Sequence, residues 1–162
     1  MDAMVGQQAT FPILLIDDDA DVLEIVKRAS RKTFPQAAFL GFQNPYDALA
    51  YLEKDEEDLP KLVLLDIDLG PGVMDGLSFL PQLRKHPKGS QMPTVILSSL
   101  ADEERIQRAY ETGATSFLEK PMNFGGWKQH MNALRQYWSE VVSLPQKPTD
   151  GSTPSPFNQL DA

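Results

Sequence analysis

A chain of 162 residues has room for one ordinary domain with a sizeable core. Apolar residues make up 41% and charged ones 23%, the balance of a globular protein, while a net charge of −8 argues against bulk binding to nucleic acid or to an anionic membrane. Without cysteine there is no disulfide, no thiolate metal site and no cysteine nucleophile.

Residues 1–10 read as a flexible lead lacking the basic-then-apolar pattern of a signal peptide. No apolar run approaches the roughly 20 residues that span a bilayer, so a cytoplasmic protein is expected. The run Pro12 to Ile16 predicts a first strand ending in Asp17 and Asp18. Val22, Leu23, Ile25, Val26 and Ala29 then fall on a helical stripe opened by an Asp able to cap it, and Asp19 is assigned to that cap.

A second strand is predicted over 37–42. It is followed by Asn44-Pro45 as N-cap and first helical residue, leading into Tyr46, Ala48, Leu49 and Leu52. The acidic stretch from Lys54 to Asp58 and Pro60 break this helix before a third strand, Leu62 to Leu65, ending in Asp66. A loop from Asp68 to Gly76 leads to a helix around Leu77, Phe79, Leu80 and Leu83. Pro81 would cost about 3 kcal/mol in its interior, so that helix is expected to kink or to start late.

The run Thr94 to Leu97 ends in Ser98, and a helix from Asp102 to Thr112 stops at Gly113, a C-cap residue. The run Thr115 to Glu119 ends in Lys120-Pro121. The last helix carries a core stripe of Phe124, Trp127, Met131, Leu134, Trp138 and Val141. Tyr137, Val142 and Leu144 fall off that stripe and suggest a partner surface. Residues 145–162, rich in Pro, Ser and Thr, read as a disordered tail.

Strands alternating with helices indicate a parallel sheet, and in such sheets the carboxyl ends of strands form the ligand crevice. Asp17, Asp18, Asp66, Ser98 and Lys120 all stand at strand ends and could meet there. Three converging carboxylates repel one another unless a cation neutralises them. An all-oxygen site without His or Cys suits Mg²⁺. Lys120 and the Ser98 hydroxyl suit phosphoryl oxygens, and the Asp66 carboxylate can form an acyl-phosphate. Taken alone, Asp17-Asp18-Asp19 would be a solvated cap, Ser98 a routine strand end and Lys120-Pro121 an ordinary turn. Their joint placement favours chemistry. His86 and His130 belong to no motif and read as surface residues.

These motifs resemble the receiver domain of two-component response regulators over residues 11–144: Asp17-Asp18, Asp66, Ser98-Ser99 and, 22 residues after Ser98, Lys120-Pro121. The resemblance implies a flavodoxin-like α/β fold, a doubly wound five-stranded parallel sheet of order 2-1-3-4-5 with five helices. It also implies Mg²⁺ held by Asp18 directly, by Asp17 through water, by Asp66 and by the Asp68 backbone carbonyl. Asp66 would accept a phosphoryl group from a histidine kinase. Ser98 and Phe117 would then switch the surface of the fourth helix, fifth strand and fifth helix. Such a protein is a signalling phosphoprotein rather than an enzyme, modifying only itself.

The segments 108–121 and 137–145 look like those of single-domain regulators paired with bacterial phytochrome kinases, which implies a homodimer through the switch face and C-terminal extension. With only the tail after the receiver, no DNA-binding output domain is expected. The loop after Asp66 is two residues longer than usual, with Gly70-Pro71 and a Met74-Asp75-Gly76 ending. Two other classes compete. Asp66-Ile67-Asp68 imitates the Asp-x-Asp pair of haloacid-dehalogenase-like phosphatases, although that motif usually follows the first strand. A receiver that takes no phosphate would be a plain interaction module.

Overall fold

The computed structural model describes residues 9–54 and 59–145. Most of the expected lead, the acidic stretch at 55–58 and the expected tail beyond Pro145 lie outside the described residues. Five strands, β1 (Phe11–Ile16), β2 (Ala37–Phe42), β3 (Leu62–Asp66), β4 (Thr94–Ser98) and β5 (Ser116–Glu119), form one parallel sheet in the order β2-β1-β3-β4-β5. Between and after them run α1 (Ala20–Thr33), α2 (Pro45–Glu53), α3 (Gly76–Lys85), α4 (Glu103–Thr112) and α5 (Phe124–Leu134). This is the expected flavodoxin-like order.

The three central strands are near-continuous apolar runs because helices cover both faces. Alternate side chains go to opposite sides. Leu14, Ile16, Val63, Leu65 and Ile96 pack with Leu52, Phe79, Leu80, Leu83 and Ala109 of α2, α3 and α4. Ile13, Leu15, Leu62, Leu64, Val95 and Leu97 pack with Val22, Val26, Trp127 and Met131 of α1 and α5. Each such side chain contributes about 1.5–3 kcal/mol through burial, so the sheet is fixed from both sides.

Short polar side chains start the helices. Asp19 accepts from the Asp21 N–H, Asn44 from Tyr46, Asp75 from Ser78, Asp102 from Arg105 and Asn123 from Gly126. Gly113 ends α4 in the left-handed region, with φ +107°.

One alternative for the third helix is excluded, and one expectation about the last helix is corrected. The third helix does not start late. It begins at Gly76 and continues through Pro81, which forgoes one i→i−4 bond while its ring stays on the exposed side. The last helix is not α-helical to Val141. Residues Arg135–Val141 continue as a π-helix, closed by the Val142 N–H donating to the Tyr137 carbonyl five residues back (2.9 Å). Arg135 holds this wider turn: its Nε donates to the Thr33 carbonyl at the end of α1 (2.8 Å), and its other nitrogens reach Asn132 and Glu140.

The stripe shifts accordingly. Trp127, Met131, Leu134 and Trp138 are buried, whereas Phe124 and Val141 are exposed at 40% and 73%. Arg28 and Lys128 flank the Phe124 ring instead. Val142 and Leu144, expected to face a partner, fold back onto the core beneath α1 and α5. Tyr137 stays exposed.

Candidate functional site

Strand register decides which polar groups meet. Ile16 pairs with Leu65, and Asp66 with Leu97, so Asp17 and Asp66 come level at the carboxyl edge of adjacent strands. Both follow residues that face the α2–α4 core, so the pleat turns both carboxylates the same way. Ser98 pairs with Glu119, which leaves Lys120 one residue beyond the edge of β5.

Asp17, Asp18 and Asp66 each offer a carboxylate oxygen within 4.8 Å of the others. Asp17 and Asp66 are buried and Asp18 is exposed, so the cluster opens to solvent on one side. Lys120 Nζ lies 2.8 Å from Asp17 Oδ2 and donates to Asp66 Oδ2 at 3.2 Å. The Asp17 contact is an ion pair outside hydrogen-bonding angles, and Asp17 Oδ2 has no other partner among the described residues. Asp17 Oδ1, by contrast, accepts from the Asp19 N–H at 2.9 Å. A buried carboxylate oxygen without a directional donor, beside two more carboxylates, fits a hard divalent cation.

Electrostatics point the same way. Burial, followed by the Asp17 charge, raises the pKa of Asp66 to about 6 against the pull of Lys120. Burial alone would lower the pKa of Lys120, but Asp17 and Asp66 together hold it above its ordinary value. The site therefore contains more negative charge than one ammonium can balance.

Ser98 is fully buried, and its hydroxyl is engaged locally: it donates to the Leu100 carbonyl (3.1 Å) and accepts from the Leu100 N–H (3.3 Å). Phe117 is half-buried against the α2–α4 core that includes Ala109 of α4. Asp68 stands apart from the acid cluster. Its exposed carboxylate accepts from Arg105 Nη1 of α4 at 3.3 Å.

The longer loop between β3 and α3 turns through two glycines at positive φ, Gly70 (+101°) and Gly72 (+73°). Gly70 borders the cluster, since a Cβ there would stand 3.8 Å from Asp18 Oδ2. Gly76 closes the loop. Its N–H donates to the Ile67 carbonyl (2.8 Å), and a Cβ on it would come within 2.0 Å of the Asp66 carbonyl oxygen. Glycine is therefore required beside the central acid.

The histidines are half-buried rather than on the surface. His86 caps α3 and accepts from the Lys88 N–H, while His130 bonds the Gly126 carbonyl. Three further residues escaped the sequence reading. Arg105 bridges to Asp68, and Gly76 is the close-approach glycine. At the opposite edge of the sheet, Arg84 donates to the carbonyls of Gly89, Met92 and Gly113 and to Thr94 Oγ1. An arginine in a helix's last turn gives no sequence signal of such a clamp; Asp75-Gly76 after an acid-ended strand was the available cue for the glycine.

A family model described as the response regulator receiver domain matches residues 13–132. The probable methanogenesis regulatory protein FilR2 of Methanothrix harundinacea (strain 6Ac) is 31% identical over 135 residues, covering 79% of this chain and 83% of its own. Two solved structures share the fold. The phosphorylated cyanobacterial phytochrome response regulator RcpA has a TM-score of 0.74 at 23% identity, over 85% of this chain and 100% of that one. The Mn²⁺-bound form of response regulator Rcp1 has a TM-score of 0.70 at 24% identity, over 83% and 99%. Receiver domains bind a divalent cation in an acidic pocket and interact with histidine kinases, and Asp17, Asp18 and Asp66 form an acidic cluster here. The chain belongs to the response regulator receiver domain family of two-component signalling.

Proposed function

We propose that this protein is a phosphorylation-dependent switch that accepts a phosphoryl group on Asp66 from a histidine kinase. The observation that supports it best is Lys120 held between Asp17 and Asp66 beside a third acid, Asp18. An Asp66 carboxylate oxygen forms a bond to phosphorus as the P–N bond of a phosphohistidine, already protonated on its other ring nitrogen, breaks, and neutral imidazole leaves. Asp17, Asp18, Asp66 and the Asp68 carbonyl would hold Mg²⁺, which when bound would supply charge neutralisation for the acids and the phosphoryl oxygens. Lys120 moves from its carboxylate partners to a phosphoryl oxygen, and Ser98 gives up the Leu100 carbonyl to donate to another. Phe117, packed against the core that includes Ala109 of α4, follows that rearrangement.

The switched surface is α4, β5 and α5. Tyr110 of α4 is half-exposed, as are Leu100 in the turn before α4 and Tyr137 in the last helix, where Val141 is more exposed still. A second copy of the chain is the partner this surface serves, through that face and the C-terminal extension. The cognate kinase is a bacterial phytochrome, a reading supported by the RcpA likeness. The receiver unit spans residues 11–144 and acts in the cytoplasm, with no nucleic-acid or membrane partner. No helix among the described residues is long and apolar enough to cross a bilayer. A phosphatase using Asp66 and Asp68 would need the Asp68 carboxyl as proton donor to a leaving group, and that group is paired with Arg105 instead.

Incubation with Mg²⁺ and acetyl phosphate tests the proposal by intact mass. One phosphoryl adduct, lost in Asp66→Asn, supports it. Sustained phosphate release from many phosphoesters would support the phosphatase, and no adduct at all would leave an interaction module. Mass in solution with and without beryllofluoride tests the dimer.

A further inference from the structure

The loop from Ile67 to Asp75 lies against the acid cluster at Gly70 and contains two positive-φ glycines, so it needs anchors to keep one position. Two are visible. One is the Gly76 N–H on the Ile67 carbonyl; the other is Asp68 on Arg105. Arg105 is itself oriented by α4's own cap, because Asp102 accepts from its backbone N–H (2.9 Å) and pairs with its Nε at 3.6 Å. The Arg105 side chain thus projects from the first turn of α4 across a cleft of about 280 Å³ lined by Ile67, Leu77 and Arg108. Helix α4 buries Ala109 alone among its own residues, and the Arg84 contact to Gly113 fixes its far end, so its first turn depends on Arg105.

We propose that Arg105 is a positioning residue whose ion pair with Asp68 holds the β3–α3 loop over the Asp17–Asp18–Asp66 cluster, coupling cation binding there to the seating of α4. The inference rests on the reading of that cluster as a Mg²⁺ site. Coupling is reciprocal: if a seated α4 favours the cation, the cation must favour a seated α4. Both side chains are partly exposed, which sets the expected effect at about three- to fivefold.

Sign separates positioning from bulk charge. Arg105→Ala removes a positive charge and Asp68→Asn a negative one, while the Asp68 carbonyl stays in place. If only the electrostatic field matters, the first tightens Mg²⁺ binding and the second weakens it. Positioning requires both to weaken binding about three- to fivefold by calorimetry, the double variant to be no worse than either single one, and Arg105→Lys to recover part of the loss. Hydrogen exchange supplies an independent readout. Mg²⁺ slows exchange of the Glu103–Arg105 amides in the native chain and not in Arg105→Ala. Opposite signs, additive losses or unchanged α4 exchange would overturn the proposal. A native chain that binds no Mg²⁺ and takes no phosphoryl group would instead refute the site reading beneath it.

Discussion

Lys120 and Asp17 stand 2.8 Å apart, and the same ammonium reaches Asp66 at 3.2 Å, so one cation bridges the ends of β1 and β3. Removing it leaves two buried carboxylates facing each other. Lys120→Met raises the Asp66 pKa above about 6, to be read by carboxyl-carbon NMR titration. It also slows phosphoryl uptake from acetyl phosphate about 10- to 100-fold, the worth of one hydrogen bond to a charged group.

Between about pH 4 and 6, Asp66 holds a proton in the folded chain that the unfolded chain has released, because its folded pKa of about 6 lies above the ordinary 3.8. Its contribution to stability is therefore full below about pH 4 and is lost as pH rises to about 6. Urea titrations in a chelator are expected to show a loss on the order of 1–3 kcal/mol across that window. Asp66→Asn removes the slope. Mg²⁺ has the opposite dependence, since it needs the deprotonated acid, and its affinity falls below about pH 6.

Ser98 spends its hydroxyl on Leu100 in this form. Ser98→Ala is expected to slow phosphoryl uptake about tenfold or more while Mg²⁺ affinity stays within about twofold, because the hydroxyl is no cation ligand. Ser98→Thr keeps the donor and most of the rate. Quench-flow phosphorylation with acetyl phosphate distinguishes the two.

Gly76 has no room for a methyl group beside the Asp66 carbonyl. Gly76→Ala must displace either the loop or the end of β3, at a cost of about 1–3 kcal/mol. The loss should appear in urea denaturation together with weaker Mg²⁺ binding. A stability loss with unchanged Mg²⁺ affinity would mean the strain is absorbed in α3 alone.

Arg84 tests the reverse separation. Its guanidinium ties the α3–β4 loop, β4 and the end of α4 at the edge of the sheet away from the acids. Arg84→Ala is expected to cost about 2–3 kcal/mol in stability and to leave the phosphorylation rate of the folded fraction unchanged.

The sheet order, the caps at Asp19, Asn44 and Gly113, and the strand-end acids were legible in sequence because each is a local signal repeated at a fixed place in a βα unit. The meeting of Asp17, Asp66 and Lys120 followed from register, which the apolar runs set. The π-helical turn at Arg135–Val141 was not legible: a three-and-four apolar spacing looks the same until Arg135 finds Thr33, 102 residues earlier. Arg84 and Arg105 escaped for the same reason. Their partners are loop carbonyls and an acid 37 residues away, which no periodicity marks.

Trp127 and Trp138 both lie in the layer beneath α1 and α5, whereas Phe117 and α4 work on the other side of the sheet. The protein's own tryptophan emission therefore monitors one layer only. It will follow unfolding and changes along α5, yet carry no reporter on the α4 half of the signalling face. An optical record of switching calls for a tryptophan placed at Tyr110, on the half that carries none.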